Sequence, residues 1–121
     1  YNAQDEKRDY FNWNSTVAPA GLLKSGTKDV VKFIELLLDE ENKAINSYLK
    51  NTYFKNTYIE TGLGLNILRL NGQTIFAKSG DTLGQSSVLG YNPEEQWGVI
   101  ILTNQANMTA REIFDKLLEV L

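Results

Sequence analysis

The chain has 121 residues, 42% of them hydrophobic and 22% charged, which fits one compact globular domain and excludes a disordered, collagen-like or coiled-coil chain. Twelve Lys and Arg residues against fifteen Asp and Glu residues leave a formal net charge of -3, so we expect no nucleic-acid partner. The chain contains no His and no Cys, which excludes imidazole bases, thiolate nucleophiles and nearly every transition-metal site within it.

The first half of the chain is predicted to be helical after an extended lead-in. Residues 1–17 are polar and aromatic without a period, which indicates the lead-in. Within the helical region, 18–60, a helix is predicted to begin at Ser25 or Thr27 and to reach about Asp39. Its apolar face has residues at helical spacing, namely Val30, Phe33, Ile34, Leu37 and Leu38. The rest of this region, rich in Asn, Lys, Thr and Tyr, fits either a short helix or an irregular connector.

Residues 61–106 are predicted to form a β-meander of four strands. Asn71-Gly72 between two apolar runs is the strongest short signal for a hairpin, and Asn92-Pro-Glu-Glu95 is typical of a turn. The strands are predicted at 63–70, 73–79, 85–91 and 97–104. The fourth is apolar on both faces, which in an antiparallel sheet predicts that both faces are covered, most naturally by helices.

The last segment, 107–121, is predicted to be a helix. Thr109-Ala-Arg-Glu112 has the sequence of a capping box. A single apolar stripe follows, made of Ala110, Ile113, Phe114, Leu117, Leu118 and Leu121. The predicted fold class is therefore α+β, an antiparallel β-sheet flanked by helices.

The segment with the clearest chemistry is Lys78-Ser79-Gly80, predicted to end the second strand and to run into a turn rich in hydroxyls and glycine. Glycine lets a substrate backbone lie close, a hydroxyl can bond a substrate carboxylate, and an ammonium adds positive potential near a nucleophile or a bound anion. A tripeptide of common residues also occurs by chance, as a strand end with a solvated lysine. The surrounding stretches favour the first interpretation.

These stretches are Pro19-Ala-Gly-Leu-Leu-Lys-Ser-Gly-Thr-Lys-Asp29, Gly62-Leu-Gly-Leu65, Lys78 to Ser87, and Tyr91-Asn-Pro-Glu94 followed by Gly98 to Asn104. In this order they resemble the C-terminal region of serine β-lactamases and penicillin-binding proteins, especially class C β-lactamases and the related esterases and D-alanyl-D-alanine peptidases. In that family a Lys-Ser/Thr-Gly strand lines the active site, opposite a Ser-x-x-Lys nucleophile.

The resemblance implies that residues 1–121 are the C-terminal portion of one β-lactamase-like domain. The partner of the chain is then the missing N-terminal portion, which carries the nucleophile, and the chain, which begins at Tyr1, is interpreted as incomplete. The substrate is expected to be a small molecule or a peptide, and no cofactor or metal is expected. A periplasmic, cell-surface or secreted location is expected for the same reason.

The resemblance also implies residue roles. Lys78 and Ser79 are expected to bind the substrate anion and tune the base, and the backbone N-H of Asp81 is expected to be one oxyanion donor. Substrate contacts are expected from Ser79, Gly80, Thr82 and Asn104. Asn104, at the end of the last strand, fits a capping or turn role equally well.

The sequence departs from the family pattern at several positions. Leu83 and Gln85 stand where Pro and Phe are usual, Leu22 replaces a glycine and Leu65 replaces a tryptophan, which puts substrate preference in doubt. Ser47-Tyr-Leu-Lys50 matches the letters Ser-x-x-Lys, but it lies in a polar connector with too little chain before Lys78 to hold the intervening part of the family's domain. We therefore interpret that match as accidental.

Three functions remain open from the sequence. The first is a hydrolase or transferase that works through a serine acyl-enzyme on a β-lactam, a D-alanyl peptide or a small ester or amide. The second is a penicillin-recognising sensor or non-catalytic binding protein of the same fold. The third is an unrelated α+β interaction module. No apolar run in the chain is long enough for a membrane span.

Overall fold

A computed structural model describes residues 6–7, 16, 18–82, 84–105 and 107–120. The predicted lead-in, 1–17, falls almost entirely outside these residues. The chain divides into two compact units. One comprises the described residues of Tyr1–Thr27 with Ser79–Val88 and Ile101–Leu121, and the other comprises Lys28–Lys78 and Leu89–Ile100.

Four α-helices and one 3-10 helix are present among the described residues. They are α1 (Ala18–Gly21), α2 (Thr27–Leu38), the 3-10 helix Glu40–Asn42, α3 (Lys43–Lys50) and α4 (Ala110–Leu118). The prediction of α2 is confirmed. For the following segment the sequence allowed a short helix or an irregular connector, and the structure has a short helix, α3. Asp29 in the first turn of α2 suits the positive end of the helix dipole.

Six strands form one sheet in which strand order follows chain order. They are β1 (Phe54–Lys55), β2 (Glu60–Thr61), β3 (Asn66–Leu70), β4 (Gln73–Thr82), β5 (Gln85–Asn92) and β6 (Trp97–Thr103). The sheet is antiparallel, and with the helices it confirms the predicted α+β fold class. The register of β3 on β4 runs from Asn66 opposite Ala77 to Leu70 opposite Gln73.

The two predicted turns form for the reasons the sequence indicates. Asn71 and Gly72 both have positive φ, 51° and 81°, which a two-residue hairpin loop of type I′ requires. Asn92 Oδ1 accepts hydrogen bonds from the backbone N-H groups of Glu94 and Glu95, at 2.9 and 3.1 Å, as Asn does at the start of a turn. Both turns confirm the predicted meander.

The core of the second unit lies between α2 and the sheet. Its buried residues are Ile34, Leu37, Leu65, Ile67, Phe76 and Tyr91. The rings of Phe76 and Tyr91 stack with centroids 5.4 Å apart. Gly98 permits close packing here, because a β-carbon at this position would collide with the Ile34 side chain. The helix is therefore held on the strands by its predicted apolar face.

Helix α4 begins with the predicted capping box. The Glu112 N-H donates to the Thr109 hydroxyl, and the Thr109 N-H donates to the Glu112 carboxylate, at 3.2 and 2.7 Å. The hydrogen bonds that the Thr109 N-H and the Thr109 hydroxyl donate to the Glu112 carboxylate lower the pKa of Glu112. Ser86 Oγ accepts a further hydrogen bond from the Ala110 N-H at 2.8 Å, which ties the start of α4 to β5.

A network around Glu60 joins the first four strands. The Glu60 carboxylate accepts from Arg69 and Lys55 at 2.7 Å each and from the Thr52 hydroxyl at 2.8 Å, although its side chain is only 8% exposed. Arg69 also donates to Thr74 Oγ1 at 2.7 Å. The hydrogen bonds from Arg69, Lys55 and Thr52 lower the pKa of Glu60 to about 2, against the opposing effect of burial. The network therefore stabilises a charged carboxylate at a largely buried position on β2.

Three details of the meander differ from the sequence-based expectations. The prediction did not include β1 and β2, although Thr, Tyr, Phe and Ile on either side of Asn56 are strand-forming residues. Strand β3 begins at Asn66, three residues later than predicted. The expectation that both faces of β6 are covered is not met among the described residues, because no β6 residue is fully buried and Gly98 and Leu102, on one face, are exposed.

Candidate functional site

The predicted site segment lies inside a strand. The expectation that Lys78-Ser79-Gly80 ends a strand is wrong, because β4 continues through Asp81 and Thr82. Strand β5 begins at Gln85, so the predicted turn shortens to a two-residue connection. Its second residue, Gly84, has a φ of 76°, a left-handed conformation that favours glycine.

Strand geometry places the site residues on two faces. Side chains alternate along a strand, so Lys78 and Thr82 share one face, while Ser79 and Asp81 share the other. Lys78, Gly80, Asp81 and Thr82 are exposed and Ser79 is half-buried. A ligand lying over one face could therefore not meet both the ammonium of Lys78 and the hydroxyl of Ser79.

Strand β4 is longer than its neighbour β3, with ten residues against five. Within the described residues, β3 pairs with β4 only between Ala77 and Gln73, so β4 extends five residues, Lys78 to Thr82, past the end of this ladder. A chain or ring lying along such an extension faces backbone donors and side chains from both faces of the strand. The five residues Lys78 to Thr82, all predicted site residues, are therefore consecutive in this part of β4.

Gly80 has a contact that the sequence did not predict. The Ser87 hydroxyl donates to the Gly80 carbonyl oxygen at 3.2 Å. A β-carbon at Gly80 would lie 3.6 Å from Ser87 Oγ, an ordinary contact, so the hydroxyl lies directly over the glycine. Gly84, whose positive φ suits a tight turn, is the sequence signal that could have placed Ser87 opposite Gly80.

Asn104 follows β6, two strands away from β4 in the sheet. With strands about 4.8 Å apart, its backbone is roughly 10 Å from β4, so only an extended ligand or a long side chain could connect them. Its side chain is exposed. The role of Asn104 in substrate binding therefore stays a prediction.

The Ser-x-x-Lys match on α3 does not have the geometry of a nucleophile and its base. The exposed Ser47 hydroxyl donates to the backbone carbonyl of Ala44 at 2.8 Å rather than to a side-chain base. Partial burial lowers the pKa of Lys50, one turn later. A hydroxyl that points back along its own helix supports the interpretation of this motif as accidental.

The Gly62-Leu-Gly-Leu65 stretch is structural. A β-carbon on Gly62 would collide with the Leu49 carbonyl oxygen at the end of α3, and Gly64 has a φ of 74°. Leu65 is buried in the core of the second unit. The leucine that stands where the family has a tryptophan is therefore a core residue.

A family model described as Beta-lactamase matches residues 1–121. The chain belongs to the β-lactamase family. No curated protein gives a significant match. The fold agrees with this family of serine hydrolases, because the solved structure titled "Structure of the octameric penicillin-binding protein homologue from Pyrococcus abyssi" is similar with a TM-score of 0.66.

That likeness covers 79% of the present chain and 24% of the Pyrococcus abyssi protein, at 23% sequence identity. The β-lactamase-family chain described here thus spans about a quarter of the length of that homologue. At this identity the likeness establishes the fold alone.

No described helix combines the length and apolarity needed to cross a membrane. Likewise, the described Asp and Glu side chains include no group of three that could hold a metal ion.

Proposed function

We propose that the complete protein is a serine hydrolase or transferase that works through an acyl-enzyme, and that this chain supplies the Lys-Ser-Gly strand of its active site. The observation that supports the proposal is the row Lys78 to Thr82 on the part of β4 that extends past β3, in a chain of the β-lactamase family. The nucleophilic serine belongs to an N-terminal portion of the same domain. The substrate is a β-lactam, a D-alanyl peptide or a small ester or amide.

In the proposed reaction the serine oxygen attacks the substrate carbonyl, its proton passes to a base, and the carbonyl oxygen becomes an oxyanion. The Asp81 N-H donates to that oxyanion, and the Lys78 ammonium stabilises negative charge near the base and the substrate. Collapse of the intermediate expels the leaving group, which takes up the proton, and leaves an ester on the serine. Water or an amine then releases the acyl group.

Substrate binding uses the same strand. The Ser79 hydroxyl bonds a substrate carboxylate, Gly80 lets the substrate backbone lie close, and Thr82 and Asn104 contact its far ends. None of these contacts needs a metal or an organic cofactor.

The test is a Lys78→Ala variant of the full-length gene product, with Lys32→Ala as the control. Lys32 is 75% exposed on α2 and pairs with Asp29 at 3.8 Å, so its loss should change stability and rate little. Loss of Lys78 should remove about 2 to 4 kcal/mol of transition-state stabilisation, a roughly 30- to 1,000-fold slower acylation.

Acylation is measured with a fluorescent penicillin and with p-nitrophenyl acetate, and stability by thermal unfolding. If Lys78→Ala acylates at the parent rate, the site assignment is wrong. If the parent protein is acylated but releases the acyl group only over hours, it is a penicillin sensor rather than a hydrolase.

A further inference from the structure

We propose that Ser87 is a positioning residue that orients the peptide unit between Gly80 and Asp81. The inference rests on the function proposed above, in which the N-H of this peptide unit is the oxyanion donor. Ser87 touches neither the substrate nor the nucleophile in this role. Its hydroxyl bonds the carbonyl oxygen of the peptide unit whose N-H is the proposed donor.

The covalent geometry of the backbone makes the connection. The Gly80 carbonyl and the Asp81 N-H belong to one planar, trans peptide unit, so fixing the direction of the carbonyl also fixes the direction of the N-H. The Ser87 hydroxyl holds the carbonyl oxygen from β5 at 3.2 Å. Because the carbonyl and the N-H point in opposite directions in a trans unit, the Asp81 N-H is turned away from β5.

The site needs such support because β4 extends past β3 at this point. Pairing with β3 ends at Ala77, four residues before Asp81, so that ladder does not restrain the peptide unit on this side. An oxyanion donor lies about 2.7 to 3.1 Å from the oxyanion and must hold its position to within about 0.5 Å, so it needs restraint from its other neighbours. A hydrogen bond accepted by the Gly80 carbonyl also polarises the peptide unit, which strengthens the Asp81 N-H as a donor.

The neighbouring serine has a separate task. Ser86 is buried, and its hydroxyl oxygen accepts from the Ala110 N-H at 2.8 Å. Consecutive side chains of a strand point to opposite faces, so Ser86 and Ser87 act on different partners. Ser86 anchors β5 to α4, which gives Ser87 a rigid base from which to hold Gly80.

The experiment uses the full-length gene product with Ser87→Ala, Ser87→Thr and Ser87→Cys. Ser47→Ala is the matched control, because Ser47 also donates its hydroxyl to a backbone carbonyl, that of Ala44, outside the site. Threonine keeps the hydroxyl, and cysteine keeps the approximate size with a much weaker donor. If Ser87→Ala does not fold, Ser87→Cys still tests whether the hydroxyl is needed as a hydrogen-bond donor.

The kinetic readout separates binding from acylation with a chromogenic β-lactam and p-nitrophenyl acetate. An oxyanion donor acts in the transition state, so Ser87→Ala should slow acylation by about tenfold and leave the dissociation constant of the initial complex unchanged. The loss is smaller than the roughly 100-fold expected when a donor is removed outright. Ser87→Thr should restore the rate, Ser87→Cys should resemble alanine, and Ser47→Ala should match the parent.

The second readout does not need activity. The Asp81 amide should change its NMR chemical shift and exchange faster with solvent in Ser87→Ala, and recover in Ser87→Thr. An unchanged Asp81 amide, or acylation of Ser87→Ala at the parent rate, overturns the role of Ser87. If neither probe acylates the parent protein, the proposed function is wrong. The Asp81 amide signal then tests by itself whether Ser87 orients the peptide unit.

Discussion

At the scale of single residues, the Tyr91 hydroxyl is a buried polar group with no hydrogen-bond partner in the part of the chain that the structure describes. The side chain is fully buried, and among the described residues no group lies within hydrogen-bond reach of its oxygen. Burial raises the pKa of Tyr91 to about 12, so the phenol stays neutral at any physiological pH. The ring packs well on Phe76, so the destabilising part of this residue is one oxygen atom.

The prediction is that Tyr91→Phe leaves the free energy of unfolding unchanged or raises it by up to about 1 kcal/mol. An unsatisfied buried hydroxyl is costly, while the ring contacts are retained. Urea unfolding measures the change, with the exposed Tyr48→Phe as the control. A loss of more than about 1 kcal/mol would mean that the hydroxyl has a partner in solution.

The roles of single residues could be predicted from the sequence only where chemistry is local. The capping box at Thr109 and Glu112 and the Asn71-Gly72 turn follow from short-range backbone geometry, and both are confirmed. The Ser87 bond to Gly80 joins residues seven positions apart, and it depends on the length of the loop between the strands. That loop was predicted too long because Asp81 and Thr82 resemble turn residues.

At the scale of elements, helix α3 and the β2–β3 connection approach so closely that only glycine fits at position 62. A β-carbon there would collide with the Leu49 carbonyl oxygen and lie 3.3 Å from that of Asn51. Backbone atoms at a helix end cannot move aside as a flexible side chain can. The Gly-Leu-Gly stretch therefore couples the helix to the sheet.

Gly62→Ala is predicted to lower the free energy of unfolding by about 1 to 3 kcal/mol through overpacking. Gly26→Ala is the control, because a β-carbon at Gly26 meets nothing within 4 Å, and it should change stability by less than about 0.5 kcal/mol. Thermal or urea unfolding of both variants makes the comparison. Equal effects of the two substitutions would contradict the close approach.

The Glu60 network makes the stability of the first four strands depend on pH. Because the folded-state pKa of Glu60 is lowered from 4.5 to about 2, its contribution is present above pH 4.5 and is lost as the pH falls toward 2. Glu60→Gln should therefore be less stable than the parent at pH 7, and the difference should shrink below pH 4.5. Urea unfolding from pH 7 to pH 3 measures this gap, and the exposed Glu35→Gln should show none. A gap that stays constant with pH would refute the lowered pKa.

At the scale of the whole molecule, the chain belongs to the β-lactamase family and spans 24% of the length of the Pyrococcus abyssi homologue. The site proposed here has a binding strand and one oxyanion donor, and it takes its nucleophile from an N-terminal portion. The chain contains two Ser-x-x-Lys sequences, Ser25-Gly-Thr-Lys28 and Ser47-Tyr-Leu-Lys50. In both, the serine hydroxyl donates to a backbone carbonyl, that of Gly26 at 3.4 Å and that of Ala44 at 2.8 Å, rather than to the lysine.

The isolated chain is therefore predicted to show no turnover of a chromogenic β-lactam or a p-nitrophenyl ester. The assay compares the chain with the full-length gene product at equal concentration. Turnover by the isolated chain that disappears in Ser47→Ala would make Ser47 the nucleophile and overturn the proposed division of the site. Turnover that survives in Ser47→Ala would indicate another serine, or a contaminating esterase.

The sequence by itself determined the fold class, the turns at Asn71-Gly72 and Asn92, and the capping box of α4, because these depend on periodicity and on residues close together in the chain. The family followed from the resemblance of several stretches in their order along the chain. The tertiary structure alone decided that Lys78-Ser79-Gly80 lies within β4 and past the end of β3, that β6 is at one end of the sheet formed by the described strands, and that the Ser87 hydroxyl bonds the Gly80 carbonyl. Strand pairing decides these features. Pairing depends on the register and order of distant segments, and no local residue pattern reports it.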